Sequence, residues 1–314
     1  MSKKILAVLF APIFALALSG CDKLSNKKTE ENKDKINVVV SIYPLKEFTE
    51  AVGGDKVKVT SLVPEGVEPH DFEPKPKDME ILTKSHLFVI NGLGMEEWLD
   101  KVYETVSSNK DINMINTSKG ADIISLKDND LQDDKDDHGE DEHEELEYDP
   151  HIWLSLKEAK VQSKNIKDAL IAIDGENKDY YENNYNVFSG KLDDLYKEYK
   201  AKFEGVGNKN FVTGHWAFGY LCRDFNLTQK GISGLKAEGE PTPQKMKSLV
   251  EYAKANNIKV IFNEKLASPK VSETLAKEVG ARVEKIYTVE SHEDNKGYLE
   301  MMKENLEKIY TSLK

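Results

Sequence analysis

Residues 177–206, NKDYYENNYNVFSGKLDDLYKEYKAKFEGV, decide how the rest of the chain is divided. Within them, residues 178–203 hold no proline and one glycine, Gly190. The apolar positions Tyr181, Tyr185, Phe188, Leu192, Leu195 and Tyr199 recur every three or four residues, the spacing of one face of an α-helix. At about 1.5 Å per residue such a helix is about 40 Å long, enough to cross from one lobe to another.

Working outward from this helix, short β-branched runs alternate with helical patterns on both sides. Upstream, strands are expected over residues 36–42, 56–63, 86–92 and 112–118. Helices are expected over 45–52, 75–85 and 95–108, then over 154–174 with Ser155 as N-cap. Downstream the alternation restarts, with strands over 209–215, 258–264 and 281–289 and helices over 216–225, 243–257, 268–280 and 295–313. Strand–helix alternation implies parallel sheets with helical crossovers. The fold class is therefore α/β, two small parallel-sheet lobes joined by one long linker helix. The expected boundaries are 36–177 for the first lobe, 178–203 for the linker and 204–314 for the second.

The charge is concentrated. Residues 127–149 carry thirteen Asp or Glu and two Lys, a net of −11, against −12 for the whole chain. The remainder is nearly neutral, which argues against a nucleic-acid binder, whose surface would show a basic face. Carboxylates this close repel one another, so a solvated acidic loop is expected here. His138 and His143 lie within it, and both side-chain types bind divalent cations.

At the N-terminus, Lys3 and Lys4 precede a 14-residue apolar run over 5–18. That length suits a secretory signal better than a membrane span. Residues 18–21, LSGC, resemble a bacterial lipobox. The resemblance implies removal of residues 1–20 and lipid on the sulfur of Cys21. The polar stretch up to residue 35 then reads as a tether. Cys222, the other cysteine of two, is left without an intramolecular partner and reads as a buried apolar residue.

Of the seven histidines, His86 opens an apolar strand and reads as structural. His70 lies among prolines after a strand, in PEGVEPHDFEPKP. His151 follows Pro150, and His215 stands where a strand meets a helix. In open α/β sheets ligands gather beyond the carboxyl ends of the strands. Three imidazoles at such junctions suit zinc, which takes three or four N, S or O donors. A fourth donor is expected after the last strand, where Glu290 is preferred and His292 competes for the place.

The segments PEGVEPHDFEPKPKDM, NGLGMEEWL, DPHIWLS, VTGHWAFGYLCRDFNL, EPTPQKM, IFNEKLASPKVSETLAKEVGARV and TVESHEDNKGYLEMMKENLEKI, taken in order, resemble the metal-specific solute-binding lipoproteins of bacterial ABC importers. The resemblance spans nearly the whole mature chain. It implies a metal in the cleft between the lobes, held by His70, His151, His215 and Glu290. It further implies an ABC permease and its ATPase as partners, a monomer, and a lipid anchor on the outer face of the cytoplasmic membrane. Manganese-type members resemble one another in having Glu and Asp at the third and fourth positions; this chain has His215 and Glu290. Zinc-type members commonly carry an acidic, His-rich loop before the DPH segment, and here the loop is rich in carboxylate but holds two histidines, a possible secondary metal site.

Three imidazoles and one carboxylate favour zinc over the more oxygen-rich, higher-coordinate manganese. The function expected is that of a receptor that captures Zn²⁺ as transported ligand. A manganese receptor of the same fold is the alternative. A zinc hydrolase is a weaker one: the sequence has no HExxH, and Glu290 as fourth ligand would leave no place for an attacking water. An adhesin would call for an extended apolar or repetitive face, which is not seen.

Overall fold

In a computed structural model of the chain, residues 35–109, 112–127, 146–236, 239–265 and 269–314 are described. The signal segment, Cys21, the tether up to residue 34, and His138 and His143 of the acidic loop lie outside them.

Strand β1 (Ile36–Val40) reads INVVV, and β3 (Leu87–Ile90) reads LFVI; both are almost wholly buried. Continuous apolar runs of this kind belong in the middle of a parallel sheet, covered on both faces. Between them in the chain lie helix α1 (Tyr43–Gly53), strand β2 (Val57–Ser61) and helix α2 (Pro76–Thr83). Helix α3 (Leu99–Ser108) leads to strand β4 (Asn113–Asn116). The sheet order is β2-β1-β3-β4, all parallel, with Val38 in register with Val59 on one side and Leu87 on the other. The more polar strands β2 and β4 take the edges.

Helix α4 (Leu156–Ile173) follows, with the Ser155 hydroxyl accepting from the Glu158 N–H as its N-cap. Helix α5 (Lys178–Glu204) is the long linker, one uninterrupted run of 27 residues. The second lobe then repeats the plan through β5 (Asn210–Thr213), α6 (Gly219–Phe225), β6 (Thr228–Gly231), α7 (Pro243–Ala255), β7 (Val260–Asn263), α8 (Pro269–Val279), β8 (Arg282–Lys285) and α9 (Tyr298–Ser312). Its order, β6-β5-β7-β8, matches that of the first sheet.

The lobes share more than a linker. One apolar core runs from the first sheet through α4 and α5 into α6 and α9, taking in Phe48, Tyr181, Phe203, Phe225 and Tyr298. Phe48 of α1 meets Tyr298 of α9 edge-on at 4.7 Å between ring centroids. A separate, smaller core of Val212, Leu249, Ile261 and Leu275 lies under α7 and α8. Burial across the lobe boundary contributes about 25 cal/mol per Å² of apolar surface, so large separations of the lobes are disfavoured.

Three of the differences from the sequence-based expectation have a local physical reason. Strand β6, TQKG, was not expected; it is a four-residue edge strand without an apolar run. Strand β8 ends at Lys285, four residues early. Ile286 makes the last bond to β7, through the carbonyl of Asn263, and the Tyr287 N–H turns to the Asn305 side chain of α9. Helix α3 starts at Leu99 because Glu96 is buried beneath the preceding turn, accepting from the N–H groups of Asn91 and Gly92.

Candidate metal centre

Each residue of the centre lies downstream of a strand's carboxyl end. His151 is held by its neighbour: Asp149 Oδ1 accepts from the His151 backbone N–H at 2.9 Å and lies 2.9 Å from its Nδ1. A ring held through Nδ1 presents Nε2 as the free lone pair. That Nε2 lies 3.5 Å from His70 Nε2 and 3.9 Å from Glu290 Oε1. Ligands about 2.0–2.1 Å from a tetrahedral zinc stand about 3.4 Å apart, so these separations are close to those of a loaded site.

His215 comes from the second lobe, two residues past β5. Its carbonyl accepts from Thr213 Oγ1 and Gln229 Nε2, and its N–H donates to Glu264 Oε1 at 3.3 Å. Its Nδ1 lies 3.6 Å from the same carboxylate oxygen. Ligand atoms of His151, His215 and Glu290 all lie within 4.8 Å of one another, and all three residues are buried. His70 joins them through His151. Its loop is closed by a bond from the Asp71 N–H to the Glu68 carbonyl, and Phe72 anchors it edge-on against Trp98.

Glu290 is aimed by strain. Val289 has φ of +62°, left-handed backbone that a β-branched residue rarely adopts. Such a conformation costs about 1–3 kcal/mol and persists only where its surroundings hold it. Here the Val289 side chain is fully buried, and the preceding carbonyl, Thr288, accepts from the indole N–H of Trp153 at 2.8 Å. Thr288 Oγ1 donates to Glu290 Oε2 at 2.5 Å, which leaves Oε1 facing the centre. His292 stands apart, with its side chain 37% exposed, so Glu290 is the donor brought to the cluster. His86, read as structural, accepts from the Asn37 N–H.

The electrostatics favour a cation. Burial, with the neighbouring imidazoles, brings His70 down to about 2 and drives His151 well below its ordinary value. Burial also pushes Asp149 up to about 7. Burial opposes charge on His215 too, but Glu264, Glu290 and Glu68 outweigh it and raise that imidazole to about 9. Burial and the charge of Glu290 push Glu68 up to about 8. Buried polar atoms are nearly always paired. Here His70 Nδ1, Glu68 Oε1, Glu264 Oε2 and Glu290 Oε1 are buried without a hydrogen-bond partner. Three imidazoles and surplus carboxylate, drawn from both lobes, fit a divalent metal with a preference for nitrogen.

Sequence reading did not single out Asp149, Glu264 or Glu68. Asp149 had a signal in its position two residues before His151. Glu264 had one in ending an apolar strand as His215 does. Glu68, two residues before His70, reads as a loop carboxylate.

Residues 38–312 match the family described as zinc-uptake complex component A, periplasmic. The chain is 38% identical over 313 residues to the high-affinity zinc uptake system protein ZnuA of Bacillus subtilis, covering 95% of this chain and 94% of that one. It is 35% identical over 312 residues to the zinc-binding lipoprotein AdcA of Streptococcus pneumoniae, covering 98% of this chain and 60% of AdcA. Among solved structures, it is similar to the laminin-binding protein Lmb of Streptococcus agalactiae, with a TM-score of 0.78 and 32% identity over 89% of this chain and all of that one. Lmb is described as having adhesin and metal-transporting activity.

Proposed function

The chain belongs to the zinc-uptake component A family of solute receptors, and from that membership and the geometry of its centre we propose that it captures Zn²⁺ outside the cytoplasm through His70, His151, His215 and Glu290 and delivers it to an ABC permease. The observation that carries the reading is the meeting of His151 from the first lobe with His215 and Glu290 from the second, all buried and within 4.8 Å. A metal held by both lobes ties them together, so it stabilises the loaded form by mass action. The permease and its ATPase, a monomeric state and a lipid anchor on Cys21 belong to the same proposal, as do the boundaries of the lobes. So does a role for the acidic loop, with His138 and His143, as a collector that raises the local cation concentration. No catalytic step is assigned. With Glu290 as fourth ligand the site leaves no bound water poised for hydrolysis.

The test is metal competition on the purified mature chain. One tight equivalent of zinc is expected, retained against a large excess of Mn²⁺. Displacement of zinc by manganese at comparable concentrations would place the chain with the manganese receptors instead.

A further inference from the structure

The centre is closed to solvent, yet a cargo ion must reach it. His151, His215 and Glu290 are 0%, 2% and 3% exposed. A cavity of about 270 Å³ is lined by the buried Glu290 and by the exposed Glu65, together with Tyr43 and Ser61. It thus extends from the exposed Glu65 to Glu290 of the centre. That volume accommodates several waters, and so an ion that still carries part of its hydration.

The outer part of this route is built from both lobes. Glu65 lies on the loop between β2 and His70, and its Oε1 is 3.9 Å from Nδ1 of His292, which follows Glu290 by two residues. Beside this pair the Gly66 N–H donates to Ser291 Oγ at 3.0 Å and fixes the loop against the second lobe. Tyr43, which lines the cavity, has its ring 5.8 Å from the His292 ring, so the imidazole packs beside a residue of the cavity wall.

We propose that Glu65 and His292 form a relay site, which takes a divalent cation from solvent and passes it through the cavity to Glu290. The inference rests on the zinc-receptor reading. One imidazole and one carboxylate are donors zinc accepts, but two are too few to fill its shell. Such a site binds weakly and exchanges its ion quickly. The centre behind it offers three imidazoles and a carboxylate in a buried setting, so transfer runs inward. Lys46, also in the cavity wall, opposes a cation; its ammonium is drawn toward Glu50 at 4.0 Å. A relay at the mouth offsets that repulsion where the ion first arrives.

The test is stopped-flow capture of Zn²⁺ by the full mature chain, with release to a chelator measured separately. The variants are Glu65→Gln and His292→Phe, the second keeping a ring against Tyr43. Glu251→Gln, an exposed carboxylate on α7, controls for net charge. The relay predicts that capture and release both slow by about threefold or more in each relay variant, and that the control matches wild type. Unchanged rates in both relay variants would overturn the proposal. So would faster release with unchanged capture, since the pair would then hold the bound ion rather than pass it on. Absence of tight zinc in the wild-type chain would instead overturn the receptor reading, which separates the two failures.

Discussion

At the scale of single residues, the three imidazoles of the centre stand in different protonation states before metal arrives. His70 and His151 are already neutral, because burial holds both below their ordinary value of 6.5. His215 is held charged up to about 9 by its carboxylate neighbours. A metal ligand must be deprotonated, so zinc has to displace the His215 proton. Zinc binding at pH 7 should therefore release at least the His215 proton, with a further share from Glu290 and Glu68, whose carboxyls burial also raises, and affinity should rise with pH toward 9. Calorimetry in buffers of different ionisation enthalpy reads this number. Without metal the same groups act on stability with opposite signs. The His215 contribution is full below 6.5 and is lost as pH rises through about 9. Those of His70 and His151 are present above 6.5 and lost as pH falls, with a slope approaching about 1.4 kcal/mol per unit for each. His215→Ala should weaken zinc by about a hundredfold or more and reduce the proton release. Proton release undiminished by this substitution would move the titrating group elsewhere.

At the scale of elements, the centre depends on a brace that crosses the lobes. Trp153 is fully buried in the turn after His151, and its indole donates to the Thr288 carbonyl. Its own carbonyl accepts from Tyr298 Oη of α9 at 2.6 Å. One side chain thus links the turn that carries His151 to the strained Val289 that aims Glu290. Trp153→Phe keeps most of the apolar volume and removes the N–H. A cost of about 1–3 kcal/mol to the metal-free fold is expected, because a buried carbonyl loses its donor. Zinc affinity should fall about tenfold as Val289 relaxes. Thermal unfolding and zinc competition on the same variant check both figures. A loss of stability without a loss of affinity would limit the brace to packing.

How far these elements were legible in the sequence depended on range. The linker helix, the central strands and the Ser155 cap follow from local period and chemistry. His70, His151, His215 and Glu290 stood out because prolines or a strand end place each at a junction. Glu68, Glu264 and the Trp153–Thr288 bond did not stand out. A buried carboxylate and an exposed one look alike in sequence, and a bond across 135 residues leaves no local trace. Strand β6 was missed because TQKG has neither alternation nor an apolar run.

At the scale of the whole molecule, the shared core and the ties between lobes imply a receptor that adjusts locally around its ion. The proposed role of the acidic loop is that of an accessory. Deleting residues 133–144 should leave one tight zinc equivalent and remove any weak second one. Loss of the tight equivalent would end the division of roles proposed for loop and centre. The central claim is that one metal ion joins the two lobes through His70, His151, His215 and Glu290. Anomalous diffraction at the zinc edge from crystals of the zinc-loaded chain tests it most directly. The account predicts one strong peak about 2.0–2.1 Å from a nitrogen of each of the three imidazoles and about 2.0–2.2 Å from a carboxylate oxygen of Glu290. A peak bound within one lobe alone, or bound by His292 in place of Glu290, would contradict it.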